Sequence, residues 1–155
     1  MEFGVNMKKL PLIKHVMTPF PYWVNADSTV ADAKKLLDQH GIGHLPVKEG
    51  ERHCNIIGII AKNDVRVTEE AKSKGLGSPI EDLKVVDICT LSPYIVDILE
   101  PLPNVLVHMA NHHIGSAIVT KEGRLAGVFT AHDACRTFAD YLNDQFIIPS
   151  GNDVA

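Results

Sequence analysis

A threonine and an aspartate three residues apart follow an apolar run near the end of the chain, in the string Gly127-Val128-Phe129-Thr130-Ala131-His132-Asp133. One interpretation is structural, because Thr130 and Asp133 have the spacing of a helix capping box, with Asp in place of the usual Glu or Gln. The other is chemical. The first turn of a helix offers free N–H groups and a positive dipole end that suit a phosphate. A carboxylate three residues on can accept hydrogen bonds from both hydroxyls of a ribose.

Other residues with possible chemistry are less well supported. His108 and His112 are four residues apart on a predicted helix, a spacing that can chelate a metal ion. The sequence offers no third ligand nearby, so we predict no metal site. Tyr22 and Trp23 are either core residues or a platform for a stacked base. No nucleophile, base and orienting group occur together as a catalytic signature, so we expect a protein that is not an enzyme.

The elements that position these residues alternate regularly. Strand-forming residues at 22–24 precede a helix for which Ser28 offers a cap, and Gly41 is expected to end that helix. The remaining predicted elements of the first half are strands at 44–48 and 55–61 and a helix at 64–74. In the second half we predict a strand at 94–96, a helix begun by Pro101 and Pro103, strands at 116–120 and 125–130, and a helix at 131–143. Each half therefore has the order β-α-β-β-α.

The two halves are copies of one unit. Moving Met17 forward by 72 positions places it on Cys89, and the alignment continues without a gap to Val47 and Val119. Eight pairs are identical: Thr18/Thr90, Pro21/Pro93, Tyr22/Tyr94, Val24/Val96, His40/His112, Ile42/Ile114, Gly43/Gly115 and Val47/Val119. A period this long, present only twice, is not that of a solenoid. Because each half alone would bury a marginal core, we expect two lobes that share one core, with any ligand between them.

Composition excludes several classes of protein. The chain has 155 residues, of which 45% are hydrophobic and 22% charged, and its net charge is −4. These values are typical of a globular protein, and no Lys/Arg stripe indicates a nucleic-acid partner. No apolar run approaches the roughly 18 residues of a membrane span, and we expect no signal peptide. The three cysteines, Cys54, Cys89 and Cys135, are expected to be reduced thiols in a cytoplasmic protein.

The tandem copies, their element order and the Gly-x-x-Thr-x-x-Asp string resemble a cystathionine-β-synthase (CBS) domain pair, also called a Bateman module. The openings of two elements are also similar to that family: His15-Val16-Met17-Thr18, and Gly41-Ile42-Gly43-His44-Leu45-Pro46-Val47. The resemblance implies an α+β fold of two β-α-β-β-α repeats packed as a pseudo-two-fold pair. We predict a leader at 1–15, repeats at 16–74 and 87–143, a linker at 75–86 and a tail at 144–155.

The resemblance implies two binding pockets between the repeats. In one, Thr130 and Asp133 would hold phosphate and ribose, and His132 and His44, when protonated, would neutralise phosphate charge. The first repeat would complete it with Phe20, Pro21, Tyr22, Ile42, Gly43 and His44. In the other, Ala61 replaces the threonine, while Asp64 can hold ribose and Lys62 supplies charge. That pocket would be completed by Pro93, Tyr94, Ile114, Gly115 and Ser116.

The family resemblance implies a regulatory module that binds AMP, ADP, ATP or another adenosyl compound, with no cofactor, and that signals to an effector protein or a dimer mate. The alternative is a ligand-independent dimerisation scaffold with degenerate sites. We also expect a homodimer formed through the helices that close the repeats. The apolar residues considered for that contact are Val65, Ala71, Leu76, Ala134, Phe138, Tyr141 and Leu142.

Overall fold

The structure, a computed structural model, describes residues 9–50, 52 and 55–145 and contains the predicted β-α-β-β-α order twice. The first repeat consists of β1 (Thr18–Pro19), β2 (Val24–Asn25), α1 (Val30–His40), β3 (His44–Glu49), β4 (Asn55–Ala61) and α2 (Lys62–Ser73). A short helix, α3 (Val85–Ile88), precedes the second repeat, which consists of β5 (Thr90–Leu91), β6 (Ile95–Asp97), α4 (Leu102–Asn111), β7 (Ser116–Lys121), β8 (Arg124–Thr130) and α5 (Ala131–Gln145). Cys54 and the outer parts of the predicted leader and tail lie outside the described residues.

Helix α1 begins at a capping box and ends at a left-handed glycine. Thr29 Oγ1 accepts a hydrogen bond from the Asp32 amide at 3.1 Å, and Asp32 Oδ2 accepts one from the Thr29 amide at 3.1 Å. Gly41 follows the helix at φ +61°, a conformation that costs glycine little. The predicted end at Gly41 is confirmed. The predicted cap at Ser28 is wrong by one residue, because the acidic partner stands three residues after Thr29.

Helix α4 begins at prolines, as predicted. Pro101 occupies the N-cap and Pro103 lies in the first turn, where the missing N–H groups would have no partner in the helix.

The strands that precede α1 and α4 begin later than expected. β2 starts at Val24 and β6 at Ile95, so Tyr22 and Tyr94 lie just before their strands. The side chain of each tyrosine stacks on a histidine ring instead of extending the sheet.

Each sheet takes three strands from one repeat and a two-residue strand from the other. The strand orders are β2-β3-β4-β5 and β1-β8-β7-β6. Strand β1 pairs antiparallel with β8 of the other repeat, and β5 pairs antiparallel with β4. This exchange is reciprocal, so it gives the predicted pseudo-two-fold pair and couples the two halves through backbone hydrogen bonds.

Glycine is required where the exchanged strands meet. A Cβ added to Gly127 would lie 2.9 Å from the carbonyl oxygen of Thr18, and one added to Gly58 would lie 2.8 Å from that of Thr90. Backbone oxygens cannot move away as a flexible side chain can. The two glycines therefore allow the close approach on which the exchange depends.

Two hydrophobic cores, rather than one, stabilise the pair, so the prediction of a single shared core is wrong. The first includes Val30, Leu37 and Ile60, and it is completed by Ile80 and Val85, which precede the second repeat. The second contains Val105, Met109 and Phe129 and is completed by Ile13, which precedes the first repeat. Each core is therefore closed by chain that precedes the other repeat.

Candidate functional site

A cleft of about 630 Å³ opens between the repeats, within the range of about 300–1,000 Å³ typical of small-molecule sites. The amino-terminal part of the chain lines it with Thr18, Pro19, Phe20, Pro21, Tyr22, Gly41, Ile42, Gly43 and His44. The second repeat lines it with Gly115, Val128, Thr130, Ala131, His132, Asp133 and Arg136. Every residue predicted for the first pocket is thus brought to one cleft. Gly115, which is expected in the other pocket, lines this one.

The second repeat gives the cleft a polar lining where β8 ends and α5 begins. Asp133 Oδ2 accepts hydrogen bonds from the amide and from the hydroxyl of Thr130, each at 2.9 Å. The Asp133 amide donates weakly to Thr130 Oγ1 at 3.4 Å. Asp133 is only 5% exposed, and a buried carboxylate needs such partners. The structural interpretation of the Thr-x-x-Asp string is confirmed, because the residues cap α5. They also line the cleft, where binding of phosphate and ribose stays a prediction.

Arg136 is a cleft residue that the sequence analysis missed. Its Nη2 donates to Asp133 Oδ1 at 2.6 Å, while its side chain stays 58% exposed. The spacing i, i+3 places both side chains on one face of α5, which is the signal that could have found it. Arg136 therefore adds a guanidinium group to the cleft.

The two histidines of the cleft differ in burial. His44 is half-buried, and desolvation lowers its pKa from the ordinary value of 6.5, against a smaller opposing effect of the Asp64 and Asp133 carboxylates. Its imidazole is therefore uncharged at neutral pH and suits a neutral hydrogen bond. This argues against the predicted role of His44 as a cation for phosphate. His132 is exposed on the first turn of α5.

The lining that the first repeat contributes is mainly apolar and aromatic. Tyr22 is 50% exposed and its ring stacks on that of His40 at 3.6 Å between centroids, so it is not a core residue. Phe20 is 93% exposed, and its backbone has φ +49°, which is rare for a bulky residue. Pro21 and Ile42 add apolar surface nearby. Flat aromatic and apolar groups of this kind can contact the faces of a planar base.

The predicted second pocket differs from the first at more positions than Ala61. Aligning α5 on α2 pairs Asp133 with Asp64 and Arg136 with Val67. Asp64 Oδ2 accepts from the Ala61 amide at 2.8 Å and so caps α2. Lys62, expected to supply charge, lies 3.3 Å from Asp38 Oδ1 and is paired with it. Occupancy of the second pocket stays a prediction, as do the roles of Pro93, Ile114 and Ser116.

Within the described part of the chain, no group of three or more His, Cys, Asp or Glu side chains is placed to hold a metal ion. The ring of His108 stacks on that of His112, with 4.0 Å between centroids, and equally closely on that of Tyr94. Among the same residues, no helix has the length and apolar character needed to cross a bilayer.

The comparisons with known proteins agree with this architecture. The CBS domain family model matches residues 13–68 and 85–140. The L-aspartate semialdehyde sulfurtransferase of Methanocaldococcus jannaschii is 25% identical over 130 residues, which are 83% of this chain but 23% of that protein. The chain therefore spans less than a quarter of the length of this relative.

Solved structures share the fold. Two crystal structures of the CBS domain pair of protein MJ0100, in complex with 5′-methylthioadenosine and S-adenosyl-L-methionine, superpose with TM-scores of 0.72 and 0.68 at 23% and 26% identity. They cover 86% and 83% of this chain, which in turn covers 99% of each. CBSX2 in complex with AMP has a TM-score of 0.68 at 22% identity, covering 84% of this chain and 97% of its own. Because the family model matches most of the chain as two tandem copies, the protein belongs to the CBS domain family and contains a CBS domain pair.

Proposed function

We propose that this chain is a regulatory module that binds AMP, ADP, ATP or another adenosyl compound in the cleft lined by Thr130 and Asp133. The observation that supports this best is the polarity of the cleft. The second repeat contributes a capped helix start with Asp133 and Arg136, and the first contributes exposed aromatic and apolar surface. Phosphate and ribose suit the polar lining, and a planar base suits the apolar lining.

The solved relatives give independent support for the ligand class. The MJ0100 pair binds 5′-methylthioadenosine and S-adenosyl-L-methionine, and CBSX2 binds AMP. These three compounds share an adenosine group and differ at the 5′ position. An adenosyl ligand is therefore the chemistry that we expect this cleft to accept.

Regulation would follow from where the ligand lies. The cleft is lined by both repeats, so a bound ligand cross-links them and shifts the population toward the arrangement that it binds more tightly. The Thr130 hydroxyl donates to Asp133 and serves the helix cap, which favours binding over catalysis. We propose that the signal passes to an effector protein or to a second copy of the chain.

Calorimetry with matched variants tests the site. Replacing Asp133 with Asn keeps its volume but removes the charge that accepts ribose hydroxyls. Because a hydrogen bond to a charged group contributes about 1.5–3 kcal/mol, AMP affinity should fall at least about tenfold. Asp64→Asn removes the equivalent carboxylate from the other repeat and should cost less.

The controls separate binding from folding. A thermal melt of each variant establishes that it is folded before titration, since Asp133 also caps α5. Equal losses in the two variants would contradict the preference for the Asp133 cleft. If the wild type binds AMP, ATP, S-adenosyl-L-methionine and 5′-methylthioadenosine no better than GMP, the adenosyl proposal fails. The scaffold alternative, which Ala61 and Val67 favour at the second pocket, would then take its place.

A homodimer is also part of the proposal. Phe138 and Tyr141 on α5 are 60% and 57% exposed, and they border an apolar groove that Pro11, Leu102 and Leu106 also line. Val65, which the sequence analysis considers for the dimer contact, is instead buried in the first core, because its side chain points inward from α2. We expect sedimentation velocity at micromolar concentration to give a dimer and Phe138→Glu to give a monomer. A wild type that is monomeric under these conditions would rule this contact out.

A further inference from the structure

The Asp133 carboxylate has little remaining capacity to accept hydrogen bonds. Ionised carboxylates offer about four lone-pair positions. Two donors from Thr130 bond Oδ2, and Arg136 Nη2 bonds Oδ1. A ribose that presents two hydroxyls needs two acceptor positions, and after these three bonds only one is left. One existing bond must therefore break before Asp133 can accept both hydroxyls.

Arg136 is the partner that can leave most readily. The Thr130 amide belongs to the backbone and the Thr130 hydroxyl is part of the helix cap, so both are fixed by the start of α5. Arg136 joins Asp133 from a long side chain that is 58% exposed. The pair joins an exposed guanidinium to a buried carboxylate, so Arg136 can leave only when other donors take its place on Asp133, and the ribose hydroxyls supply those donors.

Resting on the proposed function, we infer that Arg136 masks Asp133 and makes the cleft selective for adenosine that carries a 5′-phosphate. A phosphate offers the guanidinium a bidentate partner in place of the carboxylate. Transfer of Arg136 to the phosphate releases Oδ1 for the ribose. Recognition of the phosphate and recognition of the ribose are therefore coupled through one side chain.

For adenosine without a phosphate, the free energy of binding is less favourable. Its ribose must compete with Arg136 for Asp133, and a displaced guanidinium gains no new anion. Among the described residues that line the cleft, Asp133 is the only acidic one, so no second carboxylate is there to pair with the displaced guanidinium. A ligand with a neutral 5′ group is therefore bound less tightly than AMP.

The second pocket, whose carboxylate comes from the first repeat, lacks this arrangement. Asp64 accepts one hydrogen bond from the Ala61 amide, and the position equivalent to Arg136 holds Val67. With no guanidinium in that place, an adenosyl ligand at the second pocket would gain no preference for phosphate from this position. The selectivity belongs to the first cleft.

Isothermal titration of AMP and adenosine against the wild type and two Arg136 variants tests the inference. Arg136→Met removes both the cation and the donor that masks Asp133. We expect AMP affinity to fall about tenfold or more, while adenosine affinity stays the same or rises. Arg136→Gln removes the charge but keeps an N–H donor of shorter reach, so AMP should weaken without a gain for adenosine. Arg66→Met, which removes an arginine paired with Glu70 on α2, should leave both ligands unaffected.

The outcomes distinguish the inference from the proposed function. Loss of AMP affinity with retained or improved adenosine affinity supports masking by Arg136. Equal losses for both ligands in the folded Met and Gln variants, or equal affinities in the wild type, overturn the masking while leaving an adenosyl-binding cleft. A wild type that binds neither ligand overturns the proposed function and the inference together. If Arg136→Met does not fold, the Gln variant decides by its ratio of AMP to adenosine affinity, and an unchanged ratio overturns the inference.

Discussion

At the scale of residues, the cleft combines a buried carboxylate, Asp133, with an exposed guanidinium, Arg136. Thr130 and Asp133 were found because a capping-box spacing is local and the family resemblance gave it a role. Arg136 was missed because arginine is common on exposed helix faces, and only the structure places it 2.6 Å from Asp133. The uncharged state of His44 was also hidden, since burial cannot be read from one histidine in a sequence.

The lowered pKa of His44 predicts a loss of stability in mild acid. The unfolded chain protonates His44 near its ordinary pKa of 6.5, whereas burial keeps the folded imidazole neutral to lower pH. The unfolded state then binds more protons, so this contribution to stability is complete above about pH 6.5 and is lost as pH falls through the folded pKa. His44→Ser, which introduces the residue found at the equivalent position 116, should reduce this loss.

Urea unfolding at about pH 7.5 and about pH 5.5, on either side of the histidine range, measures the effect. His132→Ser serves as the control because it removes an exposed imidazole from the same cleft. The interpretation fails if wild type and His44→Ser lose equal free energy of unfolding between the two pH values.

At the scale of elements, long periodic segments were predicted well and short ones were not. The helices and the two hairpins have clear apolar periods and turn residues, and their boundaries differ from the predictions by one or two residues at most ends. Strands β1 and β5 are two residues long and have no period to detect. Their pairing with the other repeat is set by tertiary contacts that a single sequence does not contain.

Replacing Thr29 with Ala tests the corrected cap of α1. The change removes the oxygen that accepts from the Asp32 amide, so unfolding free energy should fall by about 0.5–2 kcal/mol. Ser28→Ala is the matched control and should change stability by a few tenths of a kcal/mol, as is usual away from caps and cores. Chemical denaturation compares the two, and a larger loss for Ser28→Ala would restore the original prediction of the cap.

Replacing Gly127 with Ala tests the strand exchange. The added Cβ would lie 2.4 Å from Met17 Sδ and 2.9 Å from the carbonyl oxygen of Thr18. Because overpacking costs about 1–3 kcal/mol, a lower unfolding free energy is expected. Gly43→Ala is the control, since its Cβ would meet no atom within 4 Å. Equal stability of the two variants in urea would mean that β1 does not pack closely on β8 in solution.

At the scale of the whole molecule, the repeat predicted a pseudo-symmetric α+β pair, and that prediction is confirmed by the fold and by the solved CBS domain pairs. The repeat did not reveal how the halves are joined. Sequence similarity marks units that begin near β1 and β5, whereas each core is closed by residues that precede the other repeat. The repeat detected in the sequence therefore does not coincide with the segment that can bury a complete core. The boundaries of the two are shifted relative to each other along the chain.

This offset predicts which part of the chain can fold alone. A fragment spanning residues 20–92 contains β2, β3, β4 and β5 and every buried residue of the first core, including Ile80 and Val85. A fragment spanning residues 1–78 follows the sequence repeat but lacks both of those residues and β5, so its core is open. We expect the first to unfold cooperatively on heating, although less stably than the full chain because a domain this small buries a limited core. The second should self-associate or melt without a transition. Circular dichroism and sedimentation compare them, and a stable monomeric 1–78 fragment would show that the exchanged segment contributes little to the fold.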